Sequence, residues 1–164
     1  MYTQYYLHSL RTVDKIYRGN KGTELKRALL KSVDMVNVVT CCRMRAFGAS
    51  SDSMSGALLP FRYRLREETM EQLLQLGDIG KIEAQLAAMG YHTDRAAQID
   101  NVEQLTEQIS LEYLRHIIRM SRSAAAVYYA LIECLKIEQR NVKTAIEGIR
   151  YGLPSNEILG MLVI

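Results

Sequence analysis

The 164-residue sequence has no tryptophan, two phenylalanines, two prolines and three cysteines. With prolines only at Pro60 and Pro154, long stretches carry no helix breaker, and the scarcity of Trp and Phe removes residues that favour sheet. Helix is therefore favoured over strand. Cys41, Cys42 and Cys134 are odd in number and show no C-x-x-C spacing, which excludes a disulfide framework or zinc site and leaves them as small packing residues. Arg43 beside Cys41-Cys42 could lower a thiol pKa, but no His or acid stands nearby in sequence to complete a nucleophile and base. His8, His92 and His116 fall on separate segments without an i, i+4 partner, so no metal site is expected. Neither a G-x-x-x-x-G-K-[ST] nor a G-x-G-x-x-G run occurs, and with no catalytic group indicated the chain is expected to be no enzyme and to hold no cofactor or nucleotide. No run of about eighteen apolar residues occurs, and the start lacks a basic-then-apolar leader. A cytoplasmic protein is expected, touching a membrane only through partners.

What is present is average for a globular chain, with 48% hydrophobic and 24% charged residues. Twenty-one basic residues against eighteen acidic ones give a net charge of +3, and the two signs are interleaved. That is not the footprint of a nucleic-acid binder. Arg43, Arg45, Arg62, Arg64 and Arg66 with Tyr63 form the most basic stretch and keep an RNA-binding reading open. A solvated or partner-facing surface is the commoner explanation.

Helices are predicted over Tyr2 to Arg18, Thr23 to Phe47, a short piece from Ser50 or Ser51 through Leu59, Arg66 to Leu76, Ile79 to Met89, Val102 to Met120 and Ala124 to Tyr151, with a last short one after Pro154. Gly19 to Gly22, Gly48, Gly77, Gly90 and Gly152 punctuate them. In the second helix Leu25, Leu29, Val33, Val36, Val39 and Thr40 form one stripe. Tyr2, Tyr5, Tyr6, Tyr128 and Tyr129 are expected to pack one helix pair. The polar run Tyr91 to Asp100 is the best boundary, giving helical units over 1–90 and 91–164.

Residues 33–60 lie on residues 137–164 without a gap, at an offset of 104. Seven of the 28 positions are identical, against roughly one or two for average composition. The identities include Asn37 with Asn141, Thr40 with Thr144 and Gly48 with Gly152, while Asp34 with Glu138 is conservative. An acid and an Asn three residues apart share one helix face, and an aromatic and a Gly end the helix. Asn is a poor mid-helix residue unless its amide finds partners, so the pair points to a role between helices, the alternative being that both are exposed.

These residues carry a family resemblance. Asp34-Met-Val-Asn37-Val-Val-Thr40, Gly48-Ala-Ser-Ser-Asp, Leu58-Leu59-Pro60 and Arg66-Glu67-Glu68-Thr69 resemble the "D-x-x-N-x-x-T … G-L-S-P-E-E … L-L-P-G-G … L-S-E-E-T" pattern of the C subunit family of prokaryotic V-type ATPases and ATP synthases, whose eukaryotic relative is the d subunit. Tyr113-Leu114, Glu138-Gln-Arg-Asn141-Val142 and Gly152-Leu-Pro-Ser-Asn-Glu157-Ile158 are similar to its carboxyl-terminal "E-x-R-N … G-L-P-x-E-x-I" ending. Phe61-Arg62 stands where the family has Gly-Gly, and the chain is about half the family's usual length. Two units are counted where the family has three, so a fragment, a truncated form or a short member without the first unit is expected. The resemblance implies an all-helical, non-catalytic spacer between the central stalk and the membrane rotor ring, on the inner face of the membrane. It would support proton or sodium transport. A short form could self-associate through apolar surface near Tyr2, Tyr5 and Tyr6. A generic helical interaction module is the other class left open.

Overall fold

The computed structural model describes residues 2–17, 22–49, 56–75, 78–95, 99 and 101–164. Among them there are seven helices and no strand, so the chain is all-α. In order these are α1 (Tyr2–Ile16), α2 (Thr23–Ala46), α3 (Glu67–Gln75), α4 (Ile79–Ala88), α5 (Val102–Met120), α6 (Ala124–Arg150) and α7 (Ser155–Met161). Among the described residues no helix is long and apolar enough to cross a membrane.

Local chemistry sets most of these limits. The side chains of Asp78, Asn101 and Ser123 each accept a backbone N–H in the first turn of α4, α5 and α6, satisfying donors that a helix start leaves orphaned. Of the two serines expected to cap α6, Ser123 is the one that does so. Helices α2 and α6 stop alike. Gly48 at φ 70° and Gly152 at φ 69° take the left-handed conformation, and the next N–H reaches back five residues to Met44 O and Gly148 O at 3.0 Å each. That pair of turns is the Schellman stop, in which glycine carries no Cβ penalty.

Helix α2 is the central element. Its Leu29 packs with Leu10 and Val13 of α1, while Met35, Val38 and Cys41 face Met70 and Leu73 of α3, Ile82 and Leu86 of α4, and Leu105 and Ile109 of α5. The largest core thus draws on both sides of Gly90. Arg43 meets Glu103 at 2.9 Å near one end of the α2–α5 pair and Glu24 bonds Ser121 near the other, so the two helices run antiparallel. Helix α5 turns its opposite face, Leu114 and Ile117, onto Ala126, Ala130 and Ile137 of α6. The two alanines are fully buried and let the axes approach closely.

Several expectations are corrected. The stripe read on α2 is one side of a helix buried on two, because Ala28, Met35, Val38 and Cys41 form a second apolar face that only a central helix can use. The short helix expected from Ser50 or Ser51 starts outside the described residues, and at its expected end residues 56 and 57 form a turn. Phe47, Met89 and Tyr151 are caps just past the last helical residues. Of the tyrosines expected to pack one helix pair, Tyr6 and Tyr129 pack in the core, Tyr5 is 50% exposed and meets Tyr6 edge-on, the Tyr2 side chain lies outside the described residues, and Tyr128 is 70% exposed, one position round the helix from Tyr129.

Leu86 is fully buried between α4 and the main core. Leu86→Ala is expected to cost about 2–5 kcal/mol in urea unfolding. Leu159→Ala, at a site 59% exposed, should stay within about 0.5 kcal/mol of the parent.

Candidate functional site: two asparagine clamps and a buried carboxylate

The chain from Leu59 to Leu65 crosses α2 without helical hydrogen bonds of its own, and Leu59 and Leu65 are buried. Its peptide groups need partners there, since an unpaired buried N–H or C=O costs as much as a lost hydrogen bond. Two side chains one turn apart on α2 supply them. Asn37 Oδ1 accepts from Leu59 N at 2.8 Å while Nδ2 donates to Leu59 O at 3.3 Å and to Phe61 O at 3.4 Å. The amide holds one residue by both its peptide groups. Phe61 follows Pro60, and its carbonyl is part of this clamp.

Asp34, fully buried, accepts four bonds: from Tyr63 N at 3.0 Å on Oδ1, and on Oδ2 from Arg64 N at 2.7 Å, Leu65 N at 3.1 Å and the Tyr91 hydroxyl at 2.5 Å. Bonds to an ionised acceptor are the stronger kind, and four of them offset the cost of taking a carboxylate out of water. Burial first, and then the bond to Asp34, hold the Tyr91 phenol far above its ordinary pKa. It stays a donor. Gly90, at φ 79°, delivers Tyr91 to this position, and Arg64 Nη1 donates to Met89 O and Gly90 O at 2.8 and 3.3 Å.

The second clamp stands on α6. Asn141 Oδ1 accepts from Val163 N at 3.0 Å and Nδ2 donates to Val163 O at 2.7 Å. Each Asn holds the residue 22 positions later, so the offset of 104 that relates the asparagines also relates their targets, Leu59 and Val163. Both targets are buried apolar residues. Gln104 supports the same segment by donating to Gly160 O at 2.7 Å, and Gln108 donates to Ile164 O at 2.9 Å.

The remaining motif residues differ in environment. Thr40 donates back to Val36 O at 2.8 Å and is half-buried, as is Thr144. Gly48 and Gly152 are the matched stops. Glu138, the counterpart of Asp34, is exposed on α6 and makes no comparable set of bonds among the described residues. Asp34 and Asn37 come together with Tyr91; Glu138 and Asn141 share a helix but not a common partner.

One strong feature had no sequence signal. Lys31 projects from α2 with its Nζ 3.8 Å from the Tyr113 ring centre and 5.0 Å from that of Tyr91. Burial lowers its pKa to about 8, Arg64 adding to the effect and Glu112 opposing it. The two ring faces favour the ammonium and so work against burial. Burial also pushes the Cys41 thiol up to about 11, which makes it an inert packing group. No group of three His, Cys, Asp or Glu side chains able to hold a metal comes together among the described residues.

The family model described as ATP synthase (C/AC39) subunit matches residues 1–161. The chain belongs to that family. No curated protein and no solved structure matches it. In this C/AC39 chain Asn37, Asp34 and Asn141 hold backbone in place.

Removing a clamp is expected to unfasten its target. Asn37→Ala leaves the buried Leu59 peptide groups unpaired and should cost about 2–3 kcal/mol in urea unfolding, whereas Asn141→Ala, at a half-buried site, should cost about 1 kcal/mol. Amide hydrogen exchange at Leu59 and Val163 should accelerate in the matching variant alone.

Lys31 gives a pH signature. Its folded pKa lies below the unfolded value, so between about pH 8 and 10.5 the unfolded chain binds the extra proton, and this residue makes the fold more stable as pH rises through that window. Lys31→Met removes the penalty of charging a buried amine. The stability advantage of the variant over the parent should shrink by on the order of 2 kcal/mol from pH 7 to pH 10. Chemical denaturation of both chains at each pH checks this.

Proposed function

We propose that the chain is a non-catalytic coupling subunit linking the central stalk of a V-type rotary ATPase or ATP synthase to its membrane rotor ring, on the cytoplasmic side, in support of proton or sodium transport. The observation that carries the reading is the family match over residues 1–161. A spacer that transmits torque has to resist shear between its helices, and hydrogen bonds between a helix and the return segment crossing it do that where apolar contacts alone would let the two slide. The Asp34, Asn37 and Asn141 ties are of this kind. On this reading the two helical units, 1–90 and 91–164, are each organised on one long helix with its clamp and glycine stop.

The RNA-binding reading loses support from where the basic side chains go. Arg43 is engaged by Glu103 and Arg64 by the carbonyls of Met89 and Gly90.

Affinity purification of the tagged chain from native membranes, followed by mass spectrometry, tests the proposal. Central-stalk and rotor-ring subunits should be recovered together with the chain, and the purified chain alone should neither bind nor hydrolyse ATP. Recovery of neither set of subunits, or ATP turnover that survives removal of contaminating ATPase, would overturn it.

A further inference from the structure

Helix α6 is apolar on two opposite sides. One side, with Ala126, Ala130 and Ile137, is buried on α5. On the other stand Tyr128, Ile132, Leu135, Val142, Ile146 and Ile149, each between 51% and 71% exposed. With Gln139 included their spacing is four, three, four, three, four, three, an unbroken heptad seam about 30 Å long. A helix apolar all round is normally covered all round. Within this chain the repeat shows how the middle of such a face is covered: subtracting 104 places Gln139 and Val142 on Met35 and Val38 of α2, which are buried against α5, while Tyr128 and Ile149 fall on Glu24 and Arg45, which are exposed.

Which helix covers α6 is decided by its edges. In the heptad, Ile132, Gln139 and Ile146 occupy a positions and Tyr128, Leu135, Val142 and Ile149 occupy d positions. One edge, the e positions, then carries Lys136, Lys143 and Arg150, and the other, the g positions, carries Leu131, Glu138 and Ala145. Two copies aligned antiparallel would set basic edge against basic edge and Glu138 against Glu138. Two copies aligned parallel set each Glu138 against the Lys143 of the other, five residues on, the usual g to e pairing. Lys143 is 76% exposed, with Glu147 no nearer than 3.8 Å, and is free to turn to it. Ile at two a positions with Leu at a central d position favours two strands, and a polar residue at the remaining a position fixes register.

We propose that the outer face of α6 is a docking surface for the same helix of a second copy, forming a parallel two-stranded pair. The self-association expected at the amino-terminal tyrosines is thereby moved: Tyr6 is buried, and α1 exposes no comparable seam among its described side chains. The inference stands apart from the rotary ATPase reading, because it rests on α6 alone.

Sedimentation equilibrium of the full chain across concentration tests it. A monomer and dimer equilibrium is expected, abolished by Leu135→Lys with no loss of helical circular dichroism, since that side chain lies outside the core. Glu138→Lys should weaken the dimer about tenfold, and adding Lys143→Glu should restore it. Under oxidation Ile132→Cys should give a disulfide dimer that the parent, with its own cysteines, does not, because an antiparallel pair sharing this seam would hold the two sulfurs about 20 Å apart along the axis. A chain that stays monomeric at every concentration overturns the proposal and leaves the seam to a different protein. A dimer indifferent to Leu135→Lys, or one lost with that change yet neither cross-linked through position 132 nor sensitive to Glu138→Lys, overturns it too.

Discussion

The constraint on which the rest of the structure depends is the buried, irregular backbone between Leu59 and Leu65. A helix satisfies its own peptide groups and a sheet satisfies its neighbour's, but a segment that crosses a helix in extended form does neither. Here the answer is two fully buried polar side chains, Asn37 and Asp34, on α2. They fix where the chain crosses back over α2 before α3, and the Tyr91 hydroxyl ties the far end of α4 to the same carboxylate. The apolar core then fills a frame already set by polar bonds. Every buried side-chain polar atom among the described residues has a partner, as this arrangement demands.

The two clamps show how one device serves different burial. Asn37 is fully buried and shares its work with Asp34, so its amide also reaches Phe61. Asn141 lies nearer solvent, and its target Val163 is supported by side chains from another helix, Gln104 and Gln108 of α5, which bond the peptide groups on either side of it. Helix α2 satisfies most of the segment that crosses it, whereas α6 and its neighbour α5 divide the task. An Asn on both helices with different surroundings is what a geometric role permits, since an amide paired with one residue's N–H and C=O works in any surroundings that exclude competing water.

Much of this was legible from residues alone, for physical reasons. Gly48, Gly90 and Gly152 announce helix ends because no other residue takes their left-handed conformation without strain. The 3.6-residue periodicity of Val102 to Met120 gave that helix its observed bounds, and Asn101 caps it. Asn37 and Asn141 stood out because mid-helix Asn recurs at a fixed offset, but nothing local named Leu59 or Val163 as what they hold. Asp34 was noticed as the companion of Asn37, while its link to Tyr91, 57 residues away, has no trace in spacing. Lys31 was silent for a related reason: a single basic residue within a helix reads as surface, and only the meeting of Tyr91 and Tyr113 beside it half-buries it. The tyrosine grouping failed at Tyr128 because consecutive helical residues point about 100° apart and cannot both face one neighbour.

The contrast between α2 and α6 follows from the same repeat. Both are long, both are apolar on two sides, and both end in a glycine stop after an aromatic cap. On α2 the second side is covered by α3, α4 and α5, and there Asp34 meets its donors and Lys31 its rings. On α6 the second side faces solvent, and the residues at those two positions are Glu138, exposed, and Leu135, 62% exposed. A lysine held between two rings on one helix and an uncovered leucine on the other are thus answers to one question, what lies across the face. The position that tolerates a buried amine does so because aromatic faces compensate it; the position that carries an exposed leucine gains from it only when another apolar surface closes over it.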